Sequence, residues 1–166
     1  MVSPFVISRT FSAPAELLYT CWADPTEYGN WSGPKGTVVD VIRFDFRPGG
    51  RTHYRMTSGE NVTYGACAYI AIEPNTRLEW LNSFADENGN AIRPPFTDVW
   101  PLYLHTVVTF TPQDDGATAM EITWLPYEAT AEEEAVFDGA RDGMTQGWTG
   151  TLDTLADYIA TRCSAE

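Results

Sequence analysis

Apolar and polar positions alternate with a period of two through most of this chain, then switch near the C-terminus to a helical period. From about residue 130 onward, Phe137, Met144, Trp148, Thr151, Leu152, Leu155 and Ile159 recur at helical spacing and form one apolar stripe. Asp142, Thr145, Gln146, Thr149 and Asp153 fall on the opposite side. Thr130 and Glu133 have the spacing of a capping box, and Glu132, Glu133 and Glu134 suit the positive end of a helix dipole. The pattern predicts one long amphipathic helix, and such a helix needs a broad apolar surface to lie on.

The preceding residues supply it. Residues 5–11 read as a first strand with Phe5, Ile7 and Phe11 on one face. Ser12 can cap a helix that has Pro14 in its first turn and ends before Pro25; a second short helical piece is closed by Gly33 and Pro34. Strands are predicted at 37–46, 51–57, 62–72, 77–84, 103–111 and 117–125, separated by short turns rich in Gly, Pro, Asn and Asp. Thr52, Tyr54 and Met56 share a face, as do Leu78, Trp80, Asn82 and Phe84; Val62, Tyr64, Ala66, Ala68, Ile70 and Ile72 are read as the inner side of their strand. The order β-α-α-β-β-β-β-β-β-α makes an α+β fold, a curved antiparallel sheet around one long C-terminal helix. The chain reads as one domain over residues 1–166, with no internal repeat or linker.

Two features interrupt the rhythm. Residues 85–101 hold three prolines and unpatterned apolar residues, and Phe96, Val99 and Trp100 are large for a solvated tip; the segment reads as a lid or a partner surface. Gly139, Gly143, Gly147 and Gly150 cluster on one shoulder of the helical stripe, each costing about 1 kcal/mol relative to alanine. Close packing on the sheet would offset that cost, and so would space left open for a ligand. A membrane reading of their spacing fails on Arg141 and Asp142.

A net charge of -13 repels phosphate backbones and anionic membranes, so nucleic-acid and membrane partners are not expected. Cys21, Cys67 and Cys163 are far apart and suggest neither disulfides nor zinc. No signal-peptide pattern and no long apolar run is present, so the expected location is the cytoplasm. The chain shows no nucleophile elbow, P-loop or dinucleotide fingerprint, and His53 and His105 lack partners at ligand spacing. No metal, cofactor or catalytic residue is expected on these grounds. Aromatic residues make up 13% of the chain, and Trp31, Tyr54, Tyr64, Trp80, Trp124 and Trp148 come from different elements but share inward faces. They form a heavy core or line a pocket. With Asn82, Thr106, Met144 and Gly147 on the same side, they are the candidate ligand-binding set.

Four stretches carry a family resemblance: 11–25 (FSAPAELLYTCWADP), Trp31-Ser32-Gly33-Pro34, Phe46-Arg47-Pro48-Gly49-Gly50-Arg51, and 147–155 of the final helix. Their order and spacing resemble the activator of heat-shock-protein-90 ATPase homologue family, within the START-like or helix-grip superfamily that also holds the birch pollen allergen and polyketide cyclases. The resemblance implies a helix-grip domain with an internal pocket. It leaves three functions open: a stand-alone module for a small, largely apolar ligand, an enzyme of the cyclase or hydrolase sort using the same pocket, and a chaperone-contacting stimulator of an ATPase. In the co-chaperone a separate chaperone-binding domain precedes this one, and no counterpart is expected here. A monomer or a homodimer fits the sequence equally.

Overall fold

The structure is a computed structural model and describes residues 1–164. β1 (Phe5–Phe11) leads into α1 (Ala15–Ala23) and α2 (Pro25–Gly29). β2 (Val38–Phe44), β3 (Arg51–Ser58), β4 (Asn61–Glu73) and β5 (Arg77–Ala85) follow, then a two-residue strand, β6 (Ala91–Ile92). β7 (Tyr103–Pro112) and β8 (Thr118–Tyr127) complete the sheet, and α3 (Ala131–Gly139) and α4 (Arg141–Ser164) follow it. All strand pairs are antiparallel, in the order β1-β8-β7-β5-β4-β3-β2 with β6 beside β5. A curved antiparallel sheet closed by a C-terminal helix is the helix-grip fold.

Alternation decides the faces. Leu104, Thr106, Val108 and Phe110 of β7 are buried, and their neighbours across the ladder are Trp124, Ile122 and Met120 of β8 and Leu78 and Trp80 of β5. α4 lays Leu152, Leu155 and Ile159 on this inner face, each almost fully covered. Arg9 of β1 reaches the same helix and pairs with Asp153 at 2.8 Å. α1 and α2 plug one end: Leu18, Cys21 and Trp22 are buried, and the Trp31 indole N–H donates to the Cys21 carbonyl at 2.9 Å. Trp31 is thus a satisfied core residue.

Four details depart from the sequence expectation. β4 turns its other side inward: Gly65, Cys67 and Tyr69 pair with Tyr54, Asn82 and Trp80, while Tyr64 pairs with Arg55 on the outer face. A bulge between Tyr69 and Ala71 then reverses the parity, so that Ile72 does face the core. The C-terminal helix is broken at Ala140, whose N–H bonds to the Phe137 carbonyl at 3.1 Å, one residue short of the α-helical partner. The break follows Gly139 and lets α3 bury Phe137 beside Trp100 while α4 follows the sheet. Ser12 does not cap α1, which begins at Ala15 with Pro14 at the cap position; Asp24 caps α2 instead, accepting from the N–H groups of Thr26 and Glu27. Finally, residues 85–101 hold a short strand absent from the predicted set: β6 pairs with β5 through Ile92 and Phe84.

The capping box of α3 forms in full. Glu133 accepts from the Thr130 N–H at 2.8 Å, and the Thr130 hydroxyl accepts from the Glu133 N–H at 3.2 Å. Glu133 also pairs with Arg93, tying the 86–101 segment to the helix start. The Thr130 backbone N–H, then Arg93, hold the Glu133 carboxyl below the usual carboxylate range. A depressed carboxylate stabilises the fold fully above its unfolded pKa of about 4.3, and that contribution is lost as pH falls through the lower folded value. Glu133→Gln should therefore cost about 1–2 kcal/mol at pH 7 in urea titrations, with the gap to wild type narrowing below pH 4. An unchanged gap at both pH values would count against the ion pair.

The helix glycines give a second test. A Cβ added at Gly139, Gly143 or Gly147 would meet nothing within 4 Å. Close packing therefore does not explain them. Gly143→Ala should raise stability by about 1 kcal/mol in the same titration; a loss would mean that a hidden contact is being crowded.

Candidate functional site

The N-terminal half of α4 does not lie flat on the sheet, and a cavity of about 240 Å³ fills the gap. Its sheet wall is Tyr54 and Met56 of β3, Cys67 of β4, Trp80 and Asn82 of β5, and Trp124 of β8. Met144, Gly147, Trp148 and Thr151 of α4 face it. Trp22, Tyr28, Ser32 and Pro34, from α1, α2 and the loop after them, close the end. No Asp, Glu, Lys, Arg or His borders it.

Each wall has a local cause. Gly65 lies directly across from Tyr54 in the ladder, and a Cβ there would come within 2.4 Å of the Tyr54 ring. The missing side chain is what lets that ring lie over β4. Trp124 and Trp148 meet edge to face at 5.4 Å, so the helix rests on a tryptophan where a leucine would bring it closer. Trp22 and Trp80 touch at 5.4 Å and carry the plug of α1 onto the sheet. Asn82 is held from behind: the buried Thr106 hydroxyl donates to its side-chain carbonyl.

The titratable groups of the cavity are neutral at physiological pH. Burial pushes the Cys67 thiol up to about 12, and burial also raises the phenols of Tyr28 and Tyr54 above their ordinary value. The two histidines stand elsewhere. His105 faces the outer side, with Nε2 2.6 Å from the Glu79 carboxylate. His53 packs under the 86–90 turn, with Nε2 3.1 Å from the Asp86 carbonyl.

A second chamber of about 350 Å³ adjoins the first, and the two share Tyr54, Met56, Asn82 and Trp124. Phe84, Phe96, Trp100 and Leu104 are among the residues on its far side. Phe96 remains largely exposed, at 72%, yet its ring lies 5.9 Å from Phe84. The 96–101 segment thus borders this chamber with the partly buried Trp100 ring and the exposed Phe96 ring.

Of the residues singled out from the sequence, Tyr54, Trp80, Asn82, Trp124, Met144, Gly147 and Trp148 border the 240 Å³ cavity. Trp31 sits behind Trp22 in the core, 4.6 Å away ring to ring. Thr106 sits behind Asn82. Tyr64 lies beside His53 on the outer face, at 5.7 Å, because β4 has the opposite parity; it borders the second chamber and not the first. Trp22, Tyr28, Ser32, Pro34, Met56, Cys67 and Thr151 were not singled out. Met56 was legible from its parity with Tyr54, and Trp22 from its helical spacing to Leu18. Nothing in the 25–35 stretch marks Tyr28 or Ser32. Among the described residues no group of three His, Cys, Asp or Glu could hold a metal ion, and no helix is long and apolar enough to cross a membrane.

Residues 12–160 match the family model described as Activator of Hsp90 ATPase homolog 1-like protein. The chain belongs to this family. Solved structures agree in fold. A Mycobacterium smegmatis protein is 28% identical, with a TM-score of 0.76 over 93% of this chain and 88% of that one. An Arthrobacter aurescens protein is 26% identical, with a TM-score of 0.79 over 95% of this chain and 86% of that one. The AHSA1 protein of Silicibacter pomeroyi is 18% identical, with a TM-score of 0.72 over 96% and 99% of the two chains, a likeness of fold alone. None of the curated proteins matches significantly. Family membership accounts for the grip of sheet on helix.

Thiol reactivity tests the burial of the cavity lining. Cys21 and Cys67 are buried with thiols raised to about 12, whereas Cys163 is exposed. The thiolate is the reactive form. A disulfide reagent at pH 7.5 should titrate one thiol in the folded protein and three after denaturation; fast native reaction at Cys67 would show that the cavity floor is open and polar.

Proposed function

We propose that this chain is a binding module for a small, largely apolar molecule held between the sheet and α4. The observation that carries the reading is the lining: aromatic, aliphatic and sulfur side chains with a few neutral polar groups and no charge. That is the usual make-up of small-molecule sites, in which apolar area supplies affinity and a few polar atoms set orientation. Raised thiol and phenol pKa values support binding over acid–base chemistry, because neither group ionises to a useful extent near neutral pH.

The mouth is on the α4 side. Gly147 is exposed, borders the cavity, and has nothing within 4 Å of its missing Cβ. An alanine there would be the better helix residue by about 1 kcal/mol, so an open shoulder is kept against a local cost.

The neutral fluorophore N-phenyl-1-naphthylamine tests the reading. It should quench tryptophan emission by energy transfer. At a hundredfold excess over Kd it should raise Tm by about 5–10 °C, since a ligand of the folded state alone adds about 2.7 kcal/mol. Gly147→Leu should weaken binding with no loss of Tm. Absence of quenching and of any Tm shift, with this probe and with plain bicyclic hydrocarbons, would overturn the proposal.

A further inference from the structure

Among the described residues, three buried indole N–H groups have no hydrogen-bond acceptor: those of Trp22, Trp124 and Trp148. All three rings border the 240 Å³ cavity. The contrast with Trp31 is direct, because that indole, in the same aromatic cluster, donates to the Cys21 carbonyl. Buried polar groups are nearly always paired, and an unpaired one costs about 1–3 kcal/mol. Contact with a neighbouring ring face is a weaker substitute. Other polar groups of the cavity add to the pattern. The Asn82 carbonyl is taken by Thr106, and its NH2 makes no hydrogen bond among the described residues. The Ser32 hydroxyl is buried beside the Tyr28 phenol without an aligned partner. These donors belong to side chains that border the cavity, with the three indole nitrogens themselves covered in the empty protein, and no carboxylate stands among the bordering residues.

We infer, resting on the binding reading above, that the molecule is a neutral ring compound whose polar atoms are hydrogen-bond acceptors, carbonyl or ether oxygens. An acceptor that meets one of these N–H groups on a small turn of its ring pairs it, whereas a ligand without acceptors leaves them all unpaired. Neutrality follows from the charge: no cation borders the cavity, and the chain carries a net charge of -13, so a carboxylate would enter without a counter-charge. Size follows from volume. A dry cavity of about 150 Å³ takes up benzene, so about 240 Å³ suits a bicyclic skeleton, and the adjoining chamber past Tyr54 and Asn82 admits a longer substituent. Flat rings suit walls built from indoles and phenols.

The test compares 1-tetralone with tetralin, the same bicyclic skeleton with and without one carbonyl, and with 2-naphthoate, a bicyclic anion. Each is titrated against bound N-phenyl-1-naphthylamine. The ketone should bind about tenfold more tightly than the hydrocarbon, the worth of one neutral hydrogen bond, and more tightly than the anion. In 15N-labelled wild type, the indole N–H resonance of Trp22, Trp124 or Trp148 should move downfield with the ketone and not with tetralin. The matching change to phenylalanine, Trp124→Phe for example, should reduce the preference to near unity while keeping apolar binding. The wild-type resonance reads the contact even where a variant folds poorly. Equal affinity for ketone and hydrocarbon, or tightest binding of the anion, would overturn the inference and leave the binding module standing. Failure of every probe would overturn both.

Discussion

A straight helix can rest on a curved sheet along only part of its length. α4 has 24 residues, about 36 Å at the helical rise. Its C-terminal half makes the contact: Leu152, Leu155 and Ile159 are almost fully covered, and Arg9 fixes the approach through Asp153. The other half has to bridge a widening gap, and large aromatic rings bridge it. The break at Ala140 belongs to the same geometry, since α3 can bury Phe137 only by leaving the line of α4. Burial of one apolar stripe thus sets the position of the helix, the end plug and the space beneath.

What keeps that space from collapsing is stiffness. An indole or phenol has two torsions, and those here are braced from several sides. Trp22 is wedged between Trp31 and Trp80, Trp148 stands on Trp124, and the Tyr69 hydroxyl lies 2.6 Å from that of Thr52 beneath. Branched aliphatic residues at the same positions could interdigitate and draw the helix down to native packing density. The choice of tryptophan at 80, 124 and 148 therefore acts on the spacing between the layers, and through the spacing on whether anything can enter.

Most of the architecture was legible because two periods differ so plainly. The 2-residue alternation of β5 and β7 assigned Trp80, Asn82 and Thr106 to the inner face, and the 3.6-residue stripe assigned α4. β4 misled for a physical reason. Its outward positions carry Val62, Tyr64 and Ile70, residues of high β-propensity, while its inward positions include Gly65 and Cys67. Hydrophobicity pointed one way, and the need for a ring to cross a glycine decided the other. The bulge at Tyr69 and Ala71 cannot be read from alternation, because it is an irregularity in it. Tyr28 and Ser32 were out of reach for a different cause: the short α2 segment has no period, and its place beneath α4 is a tertiary fact.

Whether the aromatic cluster is only a core is decided by its polar atoms more than by its volume. A core selected for stability satisfies its buried donors, and Trp31 does so. The unpaired indoles are those that border the gap. An exposed helix glycine with no packing partner stands at the same place. Helix starts elsewhere are capped: the capping box of α3 is complete and α2 has its Asp24 cap. Unpaired buried donors that gather on the rings around one gap are a local cost that packing alone does not account for. That concentration is the strongest support for a binding role, because neither the size of the gap nor the family fold would by itself require it.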